Sequence, residues 1–301
     1  MSGSLVTGAT GFIGSHLLRR LGASGEAHGV SRSPQPDIPG MQGVVWHQAD
    51  LRDAGAVEEL FAAVRPEVVH HLAGEVDGAR DVGVVLPTLT GNLTSTVNVL
   101  AAAARSGSRV VLAGSSEEPR PGNGHAAPPS PYAMAKAAAS GYADLFHRLW
   151  GVPYTIVRPT MVYGPGQRDE AKLVPYVTLS LLRGEEPRLT SGAKVADWVY
   201  VDDVVEAFAA AGAGGRAVGH AFDVGTGVRA SVRDVVELLY RIVGADGGPR
   251  FGAVADRPLD VPQSAETGPA RELLGWEARV GLEEGLRRTV AWYAARQGVI
   301  L

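Results

Sequence analysis

The sequence predicts an α/β fold built on a doubly wound parallel sheet. Two patterns predict it. Short runs of Val, Leu and Ile alternate with helical spacing through the first half of the 301 residues. The runs lack a polar-apolar alternation, as expected of strands covered on both faces. A third observation, a glycine-rich turn between the first run and the first helical pattern, fixes where such a sheet would bind a ligand.

The elements follow in order. Ser4–Thr7 reads as a strand, residues 8–14 as a glycine turn and residues 15–21 as a helix carrying Leu17, Leu18 and Leu21 on one face. Ala27–Ser31 and residues 44–46 read as strands. Ala54–Val64 is a helix with Val57, Leu60, Phe61 and Val64 on its apolar side. Residues 67–72 are a fourth strand, 92–104 an Ala- and Val-rich helix, Arg109–Ala113 a fifth strand, 132–149 a long helix and 154–157 a sixth strand. The second half is less regular. Residues 173–183 are helical, 193–201 return the chain to the sheet, 204–211 are helical, and 221–224 form one more strand. Ser231 caps a helix over residues 232–243, with Asp234 as its capping-box partner and Gly244 as its stop. Residues 250–267 read as an irregular segment, and residues 281–296 as a closing amphipathic helix. The Pro/Gly stretches at 33–43 and 119–131 read as surface loops.

Composition narrows the function. Lys plus Arg is 28 and Asp plus Glu is 32, a net charge of −4 that offers no trap for nucleic acid or anionic lipid. Cysteine is absent, which excludes a disulfide scaffold, a thiolate metal site and a thiol nucleophile. No apolar run reaches the ~20 residues of a bilayer span, and no cleavable leader pattern stands at the N-terminus. The expectation is a soluble cytoplasmic protein. No metal site is expected, because the adjacent His70 and His71 on a strand point to opposite faces.

Thr7-Gly8-Ala9-Thr10-Gly11-Phe12-Ile13-Gly14 follows a strand and opens a helix, the context in which a glycine motif is informative. The first glycine permits the tight turn, the second lets backbone approach a pyrophosphate, and the third lets the helix pack on the strand. The helix N-terminus then offers unpaired N–H groups to phosphate. At the end of the second strand Arg32 stands where a carboxylate would bind an adenosine ribose diol, so NADP(H) is favoured and NAD(H) is the alternative. Asp50 is a candidate acceptor for the adenine amino group, or a cap for the turn that follows it.

Tyr132 and Lys136 are four residues apart on one helical face, behind Ser130 and Pro131 as helix starters. A neighbouring ammonium and an oxidised nicotinamide would lower the phenol below its usual value, making Tyr132 a general acid or base. Ser115 and Ser116 lie just past the fifth strand, at the carboxyl edge where ligands bind in such sheets.

Several of these motifs occur together and in order: residues 7–14, Asp50, His71-Leu72-Ala73-Gly74, Asn92, Ser115, Tyr132 with Lys136, Arg158-Pro159, Tyr163-Gly164-Pro165-Gly166, Val201-Asp202-Asp203-Val204 and Leu273-Leu274-Gly275-Trp276. In this the chain resembles the extended short-chain dehydrogenase/reductases, and among them the nucleotide-sugar epimerases, dehydratases and reductases. The resemblance implies a Rossmann-type NAD(P)-binding domain over residues 1–163 plus about 198–224. It implies a smaller nucleotide-sugar-binding domain over 164–197 and 225–301. It places catalysis on Ser115, Tyr132 and Lys136. Cofactor contacts fall on Gly8, Thr10, Gly11, Phe12, Ile13, Gly14, Arg32, Asp50, Leu51, Leu72, Ala73, Gly74, Asn92, Tyr132, Lys136 and Pro159, and substrate contacts on Ser116, Lys172 and Arg257.

The chain departs from its relatives in two places. Most continue from the catalytic Ser/Thr into Val-Tyr-Gly, whereas here Ser115 leads into Ser116-Glu117-Glu118-Pro119-Arg120. Glu117 is thereby a candidate second base, as in some dehydratases and decarboxylases. Ala196-Asp197-Trp198 lacks the arginine that often precedes that aspartate. Because of Arg32, the first expectation is an NADPH-dependent reductase of a nucleoside-diphosphate 4-keto-hexose. The alternative is a 4-epimerase, the third a dehydratase resting on Glu117, and the non-enzymatic possibility a nucleotide sensor. A homodimer through helices 92–104 and 132–149 is also expected.

Overall fold

The computed structural model describes residues 3–35, 40–41, 43–119, 128–256 and 264–299. Seven strands form one sheet in the order β3-β2-β1-β4-β5-β6-β9. They are β1 (Ser4–Thr7), β2 (Ala27–Ser31), β3 (Val44–Gln48), β4 (Val68–His71), β5 (Arg109–Ala113), β6 (Tyr154–Pro159) and β9 (His220–Val224). From β3 through β6 every neighbouring pair is parallel. Leu5 is matched with Val69, Val69 with Val110, and Val111 with Thr155, so the central rows are buried on both faces. The order reverses beside β1, and β1 with its neighbour β4 therefore flanks the crevice where an open α/β sheet takes its ligand.

Each helix starts and stops for local reasons. Helix α1 (Phe12–Gly22) begins straight after Gly11, earlier than the leucine spacing alone indicates, because its first turn lies inside the glycine motif. Helix α2 (Ala54–Val64) is capped by Asp53, which accepts from the amides of Gly55 and Ala56. Residues 82–94, of which the sequence predicts only 92–94 to be helical, form a 3₁₀ turn (Val82–Val84), a short helix α3 (Val85–Thr88) and a π-helical stretch (Leu89–Thr94) that runs into α4 (Ser95–Ser106). Helix α5 (Pro131–Trp150) starts at Ser130, whose Oγ accepts the Ala133 amide at 3.1 Å, and ends at Gly151 with φ of 68°. These helices cover a core that includes Leu60, Phe61, Val99, Leu100, Ala139, Ala143 and Phe146.

The chain divides into two compact units. The first comprises residues 1–159, 205–223 and 268–276, and the second 160–204, 224–267 and 277–301. The second holds a small sheet ordered β10-β8-β7, from β7 (Met161–Tyr163), β8 (Val195–Tyr200) and β10 (Arg229–Ser231). The expectation that residues 193–201 return to the main sheet is thus corrected: β8 pairs with β7 and β10. Both partners are three residues long, too short for a period-2 pattern to reveal. Helix α6 (Leu173–Leu182) belongs to this unit, and α7 (Val201–Gly212) runs from the second unit into the first. Helix α8 (Val232–Val243) carries the expected Ser231/Asp234 capping box and ends at Gly244. A single turn, α9 (Thr267–Pro269), and the closing α10 (Leu282–Gln297) complete the elements. Asp197 on β8 is fully buried. Its carboxylate accepts from the Thr226 amide and hydroxyl (2.8 and 2.6 Å), the Gly227 amide (2.8 Å) and the Ala265 amide (3.1 Å).

Candidate active site

The glycine turn is shaped by close approach. Gly8 has φ of 65°, and a side chain there would meet the Ala73 amide nitrogen at 2.7 Å, so β1 and the segment after β4 touch backbone to backbone. A Cβ on Gly14 would collide with the Gly8 carbonyl oxygen. The first turn of α1 has no capping side chain and no acidic residue. Its amides therefore face a groove bare of negative side chains, the arrangement that suits a pyrophosphate.

A directed hydrogen-bond chain joins this turn to the π-helical stretch. The Ala73 amide donates to Thr7 Oγ1 at 3.2 Å, and Thr7 Oγ1 contacts His71 Nδ1 at 2.8 Å. His71 Nε2 contacts Thr96 Oγ1 at 3.1 Å, and that hydroxyl donates to the Asn92 carbonyl at 2.6 Å. The Thr96 proton is committed to Asn92, so His71 must donate from Nε2 and accept at Nδ1. His71 is thus a neutral structural linker. Burial, with Lys136 adding to it, pushes it down to about 3. His70 on the opposite face is also buried and is held down to about 4. Among the described residues no group of three or more His, Asp or Glu could hold a metal ion.

Asn92 is buried and donates from Nδ2 to the carbonyls of Glu75 and Thr88, both at 3.0 Å. Those two bonds fix the amide's orientation and leave Oδ1 buried without a protein partner among the described residues. A side chain on Gly74 would fall against Asn92 Oδ1, with Lys136 Nζ 3.5 Å from the same point. A bare glycine, an unsatisfied oxygen and an ammonium thus converge beside β4. Together with the cradle of Gly8, Gly11 and Gly14, they fit a polar dinucleotide.

The catalytic candidates come together at the carboxyl ends of β5 and β6. Ser115 and Ser116 are buried. Ser115 Oγ accepts the Glu117 amide at 3.1 Å, and the Ser115 side chain hydrogen-bonds Tyr132. Lys136 Nζ donates to the Ala113 carbonyl at 2.9 Å and lies 5.9 Å from the Tyr132 ring centroid. Burial lowers Lys136 to about 8, against an opposing pull from Glu118. Burial raises the Tyr132 phenol well above the usual range, with the Ser115 hydrogen bond offsetting part of this and Glu117 and Glu118 adding to it; the lowering expected from the sequence refers to the state with an oxidised nicotinamide bound. In the chain alone Tyr132 is a phenol carrying its proton.

The remaining candidates divide. Thr10, Phe12 and Ile13 are partly exposed around the first turn of α1, Gly11 is exposed, and Leu72, Ala73 and Pro159 are partly buried at the same sheet edge. Arg32 is 66% exposed just after β2, with its guanidinium 4.0 Å from the Glu75 carboxylate. Asp50 is held by Arg52 through both carboxylate oxygens, which brings it down to about 2, and it caps the turn by accepting the Arg52 amide at 3.0 Å. Leu51 is buried and its carbonyl accepts from Asn98. Lys172 is an exposed cation at the start of α6, 3.8 Å from Asp169. Arg257 lies outside the described residues.

The sequence reading missed Glu118. It is 1% exposed and binds Ser115, Ser140 and Arg158.

Residues 4–225 match the sequence model of the NAD dependent epimerase/dehydratase family. The chain belongs to this family. Over 96% of its length it is 35% identical to a UDP-glucose 4-epimerase of Mycolicibacterium smegmatis, 98% of which is covered. Its fold matches that of a UDP-glucose 4-epimerase from Thermotoga maritima, solved with UDP-glucose, with a TM-score of 0.89 and 32% identity over 98% of this chain and 99% of that one. It also matches a double mutant of the dTDP-glucose 4,6-dehydratase of Streptomyces venezuelae, solved with NAD, with a TM-score of 0.86 and 30% identity over 98% of each chain. This family member is accordingly an enzyme with a Rossmann-type sheet. No helix among its described residues is long and apolar enough to cross a membrane.

Proposed function

We propose that this protein is a nucleoside-diphosphate-hexose 4-epimerase. The observation that carries the reading is the Ser115–Tyr132–Lys136 constellation beside the Gly74/Asn92 recess, in a chain whose relatives at 35% and 32% identity are UDP-glucose 4-epimerases. Tyr132 takes the proton of the C4 hydroxyl and later returns it to the same oxygen; the inversion at C4 comes from the hydride re-entering on the other face of the sugar after it has turned. Ser115 donates a hydrogen bond to the same oxygen as it becomes a carbonyl. A donor so placed contributes about 3 kcal/mol. Lys136 adds positive charge beside the phenol. Bound NAD(P) supplies the hydride acceptor and, in its oxidised form, a positive charge favouring the Tyr132 phenolate. The second unit is proposed to carry the diphosphate contacts, Lys172 and Arg257.

The sequence expectation ranked reduction first on the strength of Arg32; the similarity to epimerases favours its alternative. Arg32 still supports a second reading. An exposed guanidinium where the chain could carry an acidic residue at the end of β2 suits a 2′-phosphate, which would compete with Glu75 for Arg32, and hence NADPH and a 4-keto-sugar reductase. The test is incubation with UDP- and dTDP-hexoses and their 4-keto derivatives, with and without NADPH, followed by product mass. An isobaric C4 epimer without net cofactor change supports the first reading. Stoichiometric NADPH oxidation supports the second. Loss of water would make the enzyme a dehydratase with Glu117 as base, and no turnover would favour a sensor. Arg32→Ala should weaken NADPH binding about tenfold or more and leave NADH nearly unchanged; equal losses would remove the NADP reading.

A homodimer is part of the proposal. Met134, Tyr142, Leu145 and Leu149 lie at helical spacing on α5 and are each at least 40% exposed. Light scattering at micromolar concentration tests it, and a monomeric mass would oppose it.

A further inference from the structure

The buried carboxylate of Glu118 has no part in the chemistry described so far. It is also costly, since a buried charge persists only when paired and hydrogen-bonded. Its partners come from three elements. Oε1 accepts the Ser115 amide at 2.6 Å, in the loop after β5. Oε2 accepts the Ser140 hydroxyl at 2.8 Å, on α5. Oε2 also pairs with Arg158 Nε at 3.0 Å, on β6. Gly114 makes room for this, because a Cβ there would lie 2.6 Å from Glu118 Oε1. Ser140 stands one helical turn beyond Lys136, itself one turn beyond Tyr132. The carboxylate therefore grips the backbone of the serine loop and the helix bearing the other two catalytic candidates.

We propose that Glu118 is a positioning residue: it ties the Ser115 loop to α5 and holds Lys136 as an ammonium through its charge. This rests on the reading of Ser115, Tyr132 and Lys136 as the catalytic set. Among the described residues, Glu118 is the carboxylate whose charge acts on Lys136. Tyr132, on the same helix, is a phenol at rest, and His71 on β4 is neutral. Ala113 presents a carbonyl and Asn92 an amide oxygen. Glu117 acts on Tyr132, and Arg158 on β6 backs Glu118 from the side of its ion pair. Burial pulls Lys136 down towards neutrality, to about 8, and Glu118 opposes this.

The test reads Lys136 directly in the free protein. The sequence holds only three lysines, Lys136, Lys172 and Lys194, so lysine labelled with ¹³C at Cε gives three resolvable NMR signals to follow against pH. The expected result is a Lys136 midpoint that falls in Glu118→Gln, which keeps the shape and loses the charge. Arg158→Gln removes the cation behind Glu118 and moves the midpoint the other way. If Glu118→Gln does not fold, Arg158→Gln carries the test. In an active enzyme the Glu118→Gln defect in kcat should grow roughly threefold or more between pH 6 and pH 8.5, as the ammonium is lost earlier. A Ser140→Ala control keeps the charge and should leave the midpoint in place. An unchanged midpoint in Glu118→Gln, or a rise, overturns the proposal even if the variant is less stable. The titration needs no substrate. Its failure in a working epimerase sinks the role of Glu118 alone, whereas absence of turnover with a shifted midpoint sinks the assigned reaction alone.

Discussion

Acidification should destabilise this protein well before most of its carboxylates are protonated. His70 and His71 are each 1% exposed, and burial holds them at about 4 and about 3, from an ordinary 6.5. Unfolding releases both to that ordinary value, so the unfolded chain binds more protons and stability rises with pH. The contribution is fully present above pH 6.5 and is lost as pH falls towards the folded values. Integrated from pH 6.5 to 4.5, the two rings together withdraw about 4 kcal/mol, and half-buried His47 adds in the same direction. That is a large part of a total stability that is typically about 5–15 kcal/mol. Protonation would also turn His71 Nδ1 from acceptor to donor and displace the Thr7 hydroxyl proton from that contact, while the bond from Nε2 to Thr96 would stay. Urea unfolding followed by tryptophan fluorescence at several pH values in that window measures the effect. His70→Leu should remove about half of the pH dependence. A stability constant to within about 1 kcal/mol over the window, or an undiminished slope in His70→Leu, would refute the reasoning.

Three further outcomes are expected. Tyr132→Phe should lower kcat by roughly 10²–10⁴-fold with substrate affinity nearly intact, and a variant within tenfold of wild type in stopped assays would displace Tyr132 as the proton carrier. Gly14→Ala should weaken cofactor binding by more than about tenfold by calorimetry, because its Cβ meets the Gly8 carbonyl and α1 must move away from the turn. Gly25→Ala, with open space around it, should change nothing. Asp197→Asn turns one buried acceptor into a donor facing amides or the Thr226 hydroxyl, and about 3 kcal/mol of stability should go with it. A melting temperature lowered by less than about 1 °C would show that those bonds can be replaced.

The parts of the molecule legible in the sequence are those with local causes. The strand and helix flanking the glycine turn, the Ser130 and Ser231 caps and the stop at Gly244 follow from residues within one turn of one another. Residues 82–91 were not legible, because Pro87 and Gly91 interrupt the helical period while the backbone continues through a π-helical stretch. The neutral tautomer of His71 was hidden as well. It depends on hydroxyls 64 and 25 residues away, and spacing carries no trace of them. The raised phenol of Tyr132 in the chain alone was not legible either, because the sequence reveals the lysine one turn along but not the depth at which the phenol is buried. Glu117 drew attention through its resemblance to a catalytic triplet, yet the next residue is the one the fold encloses. Burial is a property of the whole chain rather than of the motif.

The first compact unit is not continuous in the chain, and this bears on synthesis. Strand β9 covers the outer side of β6, but it is made some sixty residues later, and residues 268–276 join the same unit later still. A nascent polypeptide stalled near residue 200 would hold six of the seven strands with β6 as an open edge, ready to template a neighbour on the same polysome. Truncations placed at the apparent end of the nucleotide-binding half should therefore aggregate rather than yield a minimal domain.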